Sequence, residues 1–158
     1  MNDTKEIKEV CLRFLACREH SQKGLLNKCL IKGYDKHEIL AVIEDLAREG
    51  WQDDLRYAES YARHRIQKGY GPVFISYQLQ QNGVDAVNLD GIVVAVAGSW
   101  MAVLEQVYSK KYKHDNPQKV CIARQEWAKR SRFLMQRGFP ADMVSALFNH
   151  LSITIPKF

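Results

Sequence analysis

Asp53 and Asp54 stand side by side, and adjacent carboxylates are a pattern that can hold a divalent cation or share a proton in general acid–base work. Cys17 and His20 lie three residues apart, a spacing at which one helical turn offers a thiolate and an imidazole to the same metal ion. Neither pattern is completed. No second ligand pair accompanies Cys17 and His20, and none of the four cysteines (Cys11, Cys17, Cys29 and Cys121) forms a CxxC with another. The histidines, His20, His37, His64, His114 and His150, are scattered. The two aspartates directly precede a helical pattern, where a carboxylate caps the first N–H groups and suits the helix dipole. There is no GxxxxGK phosphate loop, HExxH, nucleophile elbow or GxGxxG strand–turn–helix. The expectation is a non-enzymatic protein with no catalytic residue, metal or cofactor, its thiols reduced and mostly buried.

Charge is the stronger signal. Lys110, Lys111, Lys113, Lys119, Arg124, Lys129, Arg130, Arg132 and Arg137 fall within residues 110–137, opposed only by Asp115 and Glu126. That surplus of seven exceeds the +5 of the whole chain, so the remainder is net acidic by two. Much of the acid sits at Asp35, Glu38, Glu44, Asp45, Glu49, Asp53 and Asp54. A clustered basic face attracts nucleic acid by releasing counterions, without reading sequence. The alternative is a solvated helix face.

The elements that position these charges repeat. Gly33, Gly83 and Gly138 each follow one amphipathic run and precede another. A shift of fifty residues lays Lys32-Gly33-Tyr34-Asp35 on Asn82-Gly83-Val84-Asp85, Leu25 on Ile75, Cys29 on Leu79, Ile39 on Leu89 and Ile43 on Val93. A third copy matches through Arg137-Gly138-Phe139 and Val144, Leu147, Phe148 and Leu151. In each copy the glycine ends one helix in the left-handed conformation. Asp35 (in a capping box with Glu38), Asp85 or Pro140 starts the next. One further helix precedes each copy: around Ile7–Leu15, around Leu55–Ile66, and through Val103, Gln106, Val107 and Lys110. Residues 118–136 read as one long helix, Asn116-Pro117 as a break, and Ile153–Phe158 as a tail. Gly91–Ala97 has strand-like composition, but its repeat position argues for helix. The prediction is an all-α array of three tandem three-helix repeats (nine helices) over 1–50, 51–97 and 98–158. Stacked repeats present an extended concave surface.

No apolar stretch reaches the roughly 20 residues needed to span a bilayer. The opening Met1–Glu6 is polar and partly acidic, unlike a secretory leader. The protein is therefore expected to be cytoplasmic, with no membrane partner.

The segment Asp53-Asp54-Leu55-Arg56-Tyr57-Ala58, followed by Arg65, Lys68-Gly69-Tyr70-Gly71-Pro72, Ile75, Leu79 and Gly83-Val84, resembles the signature of the RecX family. Leu15-Ala16-Cys17-Arg18-Glu19-His20-Ser21 is similar to that family's opening element. The resemblance spans about residues 11–151 and is most diverged in the third repeat. Val73-Phe74 depart from it where a basic residue is usual, and Asn82 stands where lysine is common. It implies an elongated, curved array of three three-helix units that regulates the RecA recombinase by lodging in the RecA filament on single-stranded DNA; a monomer is expected, with duplex DNA as an open second ligand. Such a protein limits filament growth, ATP hydrolysis, strand exchange and repressor cleavage. Two rival classes stay open: a non-specific DNA-binding helical module and a protein–protein adaptor.

Lys129, Arg130, Arg132 and Arg137, with Arg124, are the residues expected to contact DNA or filament. Arg63, Arg65 and Lys68 form a basic helix end that the dipole alone would favour. Tyr70 either packs under its Gly-Tyr-Gly turn or contacts a partner. Arg56 either pairs back to its helix cap or meets a partner. Tyr57 and Tyr61 share a packing face, and Trp51, Trp100 and Trp127 are expected as core anchors.

Overall fold

The computed structural model describes residues 3–85, 87–113, 115 and 120–157. His114, Lys119 and the break at Asn116-Pro117 lie outside them. The described residues form nine helices: α1 (Thr4–Cys17), α2 (Gln22–Ile31), α3 (Lys36–Arg48), α4 (Asp54–Gln67), α5 (Pro72–Gln81), α6 (Leu89–Ala97), α7 (Trp100–Lys111), α8 (Arg124–Gln136) and α9 (Ala141–His150). None of these helices is singly long and apolar enough to cross a membrane.

The chain divides into two compact units, Met1–Tyr61 with Gln78–Val87, and Ala62–Tyr77 with Asn88–Phe158. In the first, α1, α2 and α3 close over Ile7, Val10, Cys11, Leu25, Cys29, Ile39, Val42, Ile43 and Leu46. These are the positions that the helical spacing picks out. Cys11 and Cys29 sit thiol to thiol in this core, with sulfurs 3.6 Å apart. Burial first, then the neighbouring sulfur, pushes the Cys11 thiol up to about 12, so it stays protonated. Cys17 is exposed, as is Cys121 of the second unit.

The second unit packs Val103, Leu104 and Tyr108 of α7 against Val144, Leu147 and Phe148 of α9, with Leu134 of α8 buried beside them. This face of α7 differs from the expected one, since Gln106 and Lys110 are exposed. Trp127 meets the Phe148 ring edge-on at 4.5 Å.

Helix starts follow local chemistry, with two departures. Asp35 accepts the Glu38 N–H at 3.2 Å, and Asp53 accepts those of Leu55 and Arg56 at 2.8 and 3.1 Å. Asp85 does not cap α6. Asn88, three residues on, accepts the Gly91 N–H at 3.1 Å, and the helix opens at Leu89. Helix α8 begins at Arg124 rather than 118, because β1 (Val120–Cys121) pairs in parallel with β2 (Ile153–Thr154). The Ile122 N–H extends the pairing to the Thr154 carbonyl at 2.8 Å. The expected tail thus opens as a strand, with Ile153 buried in the core. Branched residues at 120, 122, 153, 154 and 155 favour extended backbone.

Gly33, Gly83 and Gly138 all have positive φ, and the residue after each donates its N–H to the carbonyl five residues back. This is the glycine-terminated helix end expected. Gly138 carries a second constraint, because a Cβ there would overlap the Phe74 Cβ. At Gly33 a Cβ would meet nothing within 4 Å. Gly33→Ala should therefore cost only backbone strain, about 1 kcal/mol. Gly138→Ala adds overpacking and should cost about 3 kcal/mol. Thermal unfolding followed by circular dichroism checks this, and equal losses would show that the Gly138 contact is not tight.

Candidate nucleic-acid interface

Helix α8 carries most of the expected contact residues, and its turns sort them. Glu126, Arg130 and Leu134 recur every four residues and so share a stripe. Leu134 anchors that stripe in the core, and Arg130 follows it inward to 7% exposure. Its guanidinium donates to the Tyr108 hydroxyl at 2.6 Å, Asp115 at 2.6 Å and Glu126 at 3.0 Å. Its plane lies 4.1 Å from the Tyr112 ring centroid. Burial opposes the charge, but Asp115, Glu126 and Tyr108 outweigh it and hold the group above the ordinary guanidinium range. Burial likewise raises the Tyr108 phenol. Arg130 is therefore an internal tie and is removed from the expected contact set: its donors are taken up by the third repeat itself.

Arg137 is also engaged internally. It donates to the carbonyls of Lys68 and Gly69 at the end of α4 and stacks on Tyr70 at 4.1 Å. Tyr70 in turn stacks on Phe74 at 4.4 Å, with Arg65 5.4 Å from its centroid. Of the two roles open for Tyr70, packing under its turn is the one the structure displays. The turn itself is locked by backbone. Gly71 N–H donates to the Arg137 carbonyl at 2.7 Å and Val73 N–H to the Gly138 carbonyl at 2.9 Å. A Cβ on Gly71 would overlap the Gly138 carbonyl, and one on Gly69 would lie 2.7 Å from Val107. Pro72, first residue of α5, needs no N–H partner here.

Arg63, Lys68, Arg124, Lys129 and Arg132 are exposed. Lys68 lines a cleft of about 340 Å³ together with Lys110 and Lys111 of α7, Phe133 of α8, and Arg137. None of the lining residues is acidic. The Lys111 ammonium sits 4.0 Å from the Phe133 centroid, a cation–π contact that places the charge at the rim. Lys129 lies one turn before Phe133 on α8. The arrangement suits a phosphate: several cations converge, with an aromatic wall beside them. Lys110, Lys111 and Phe133 were not among the expected contact residues. The lysines were visible within the basic stretch, whereas the cleft depends on α4, α7 and α8 meeting.

The remaining motif residues brace the first unit. Arg56 donates to Glu19 at 2.7 Å and to the carbonyls of Gly50 and Trp51 at 3.1 and 2.9 Å. It does not pair back to Asp53. Asp54 accepts from the Gln22 N–H and the Gln52 amide, at 2.9 and 2.8 Å. Tyr57 is buried and stacks on Tyr61 at 5.9 Å. Gly83 closes the turn after α5 beside Lys23. Trp51 is 57% exposed and so is no core anchor; its place on the turn after α3 sends the ring outward. Trp100 is half-buried and donates to Asp90 at 2.9 Å. His20 is buried away from any shared metal geometry with Cys17, bonding the Arg18 carbonyl and Lys28 instead.

Fold and site together define an all-α protein of tandem three-helix domains carrying a cation-lined cleft. A model of the second three-helix domain of RecX matches residues 53–90, and one of the third matches residues 101–148. Regulatory protein RecX of Halorhodospira halophila is 34% identical over 143 residues, covering 90% of this chain and 86% of that one. The RecX protein of Legionella pneumophila is 31% identical over 140 residues, covering 89% and 91%. The crystal structure of RecX from Lactobacillus salivarius superposes with a TM-score of 0.71 at 21% identity, over 94% of this chain and 96% of that one. The chain belongs to the RecX family, whose relatives bear the name regulatory protein.

Two neighbouring arginines of α8 separate structure from surface. Arg130→Met should remove about 2–3 kcal/mol, by leaving Asp115 and Glu126 half-buried without their counter-ion. At this chain length that is a fall of roughly 5–10 °C in Tm. Arg132→Glu, at an exposed position, should stay within about 0.5 kcal/mol of the parent. Calorimetry on both variants checks the contrast, and an unchanged Tm for Arg130→Met would overturn the internal-tie assignment.

Proposed function

We propose that this protein is a non-enzymatic regulator of DNA recombination and repair that binds the RecA filament on single-stranded DNA. It acts as a monomer in the cytoplasm, without a cofactor, through three repeats over residues 1–50, 51–97 and 98–158. It limits filament growth, ATP hydrolysis, strand exchange and repressor cleavage. The observation that carries the reading is the acid-free cleft of Lys68, Lys110, Lys111, Phe133 and Arg137, flanked by the exposed Lys129 and Arg132. Membership of a family of regulatory proteins supplies the regulatory part. Physically, the cleft grips phosphates and adds a salt-dependent contribution to affinity. Preference for one filament state then shifts the filament population by the differential binding energy.

The test is single-strand-dependent ATP hydrolysis by the cognate RecA, titrated with this protein at two salt concentrations. Inhibition well below one molecule per recombinase supports filament regulation. Inhibition only at DNA saturation supports a plain DNA-binding module, and no effect from a folded protein supports an adaptor. Lys129→Glu with Arg132→Glu should weaken binding and, by losing two phosphate contacts, lower the log–log salt slope by about 1.4. Unchanged inhibition by that folded double variant would remove this face from the interface.

A further inference from the structure

The first unit holds a cation cluster that the charge pattern of the chain conceals. Lys28 lies in the last turn of α2 and Lys32 caps its C-terminus one turn on, and both ammonium groups sit over the Phe14 ring, 4.8 and 5.9 Å from its centroid. His20, 4% exposed, packs against the same ring at 5.8 Å. Its Nδ1 lies 3.0 Å from the Arg18 carbonyl and its Nε2 lies 2.7 Å from Lys28 Nζ. The tautomer meeting both contacts donates from Nδ1 to the carbonyl and accepts at Nε2 from the ammonium.

Lys28 is thus fixed in a way lysines seldom are. One N–H is committed to His20 and the charge rests against Phe14, which leaves two N–H groups for a ligand. Burial, then the Lys28 and Arg18 charges, push the imidazole below its ordinary value, while Glu19 and the carbonyl pull the other way. Burial, then Arg18, pushes Lys28 down, with Cys17 acting weakly against it. Glu19 is already held by Arg56 at 2.7 Å. Among the described residues, none of Arg18, Lys28 and Lys32 has a carboxylate in ion-pair range. Crowded like charges around a pre-positioned donor are relieved by an oxyanion.

We propose that Arg18, Lys28 and Lys32, with His20 orienting Lys28, form a second anion site that takes a phosphate group. It is separate from the cleft of α4, α7 and α8 and does not depend on the regulatory reading. The phosphate comes either from a nucleic-acid backbone or from a free phosphate ester.

The experiment is NMR titration of the full chain at fixed pH, with inorganic phosphate and with an oligothymidylate as probes. The oligothymidylate arm uses a Lys110→Glu, Lys111→Glu background, which reverses charge in the cleft itself, so that failure of the cleft reading cannot be mistaken for failure of this one. Phosphate should shift the amides of residues 18–32 along a saturating curve. Lys28→Met should weaken that binding about tenfold, whereas Lys23→Met, on the exposed face of α2, should leave it unchanged. Should Lys28→Met fold poorly, Arg18→Gln and Lys32→Gln, both at exposed positions, are each expected to weaken binding severalfold. Competition between oligothymidylate and phosphate assigns the site to a nucleic-acid backbone, and a response to phosphate alone assigns it to free phosphate esters. No saturable shift with either probe, or unaltered phosphate binding by the folded variants, overturns the proposal.

Discussion

Two backbone turns meet at Gly71 and Gly138 with no side chain between them, and the disposition of charge in the second unit follows from that contact. Backbone bonds from Gly71 and Val73 to the Arg137 and Gly138 carbonyls fix the separation. They bring the end of α4 within reach of Arg137, which then satisfies the Lys68 and Gly69 carbonyls. A helix C-terminus leaves such carbonyls without intrahelical partners. The cleft lined by Lys68, Lys111 and Phe133 is a by-product of this approach. A wider contact would separate its walls and leave the lysines as independent solvated charges.

The described cations of the basic stretch therefore fall into three populations in space. Arg130 neutralises Asp115 and Glu126 inside the third repeat. Arg137 bonds carbonyls and covers Tyr70. Lys110, Lys111, Lys129 and Arg132 face water. Both arginines turned inward use the flat guanidinium against an aromatic ring while donating in its plane, which a lysine could not do. Counting cations along the chain thus overstates the field available to a partner.

Much of the architecture was legible because one local rule recurs. Apolar residues at helical spacing, a glycine stop and a polar or proline start recur around Gly33, Gly83 and Gly138, and burial of Ile39, Leu89 and Val144 follows that register. What escaped was non-local or depended on a competition between neighbours. The parallel pairing of Val120–Cys121 with Ile153–Thr154 joins segments 33 residues apart in the chain, and neither is long enough to show alternation. Asp85 and Asn88 are both good caps, and the helix opens after Asn88 with Leu89 and Val93 buried. The burial of Arg130 did leave a trace, in its position four residues before Leu134 and four after Glu126. The cleft left none, because its walls come from three helices.

The residues that carry the family resemblance are largely taken up with holding turns. Asp53 caps α4, Arg56 binds the carbonyls of Gly50 and Trp51, and Gly71 permits backbone contact with Gly138. Removing any of them changes the frame before it changes a surface. The cations at Lys110, Lys129 and Arg132 are exposed, where a change of charge typically costs little stability. A protein built this way separates the part of its sequence that specifies the fold from the exposed cations proposed to meet an anionic partner. It follows that substitutions in the signature should act on binding mainly through stability, whereas substitutions at the exposed cations should act through salt-dependent affinity alone.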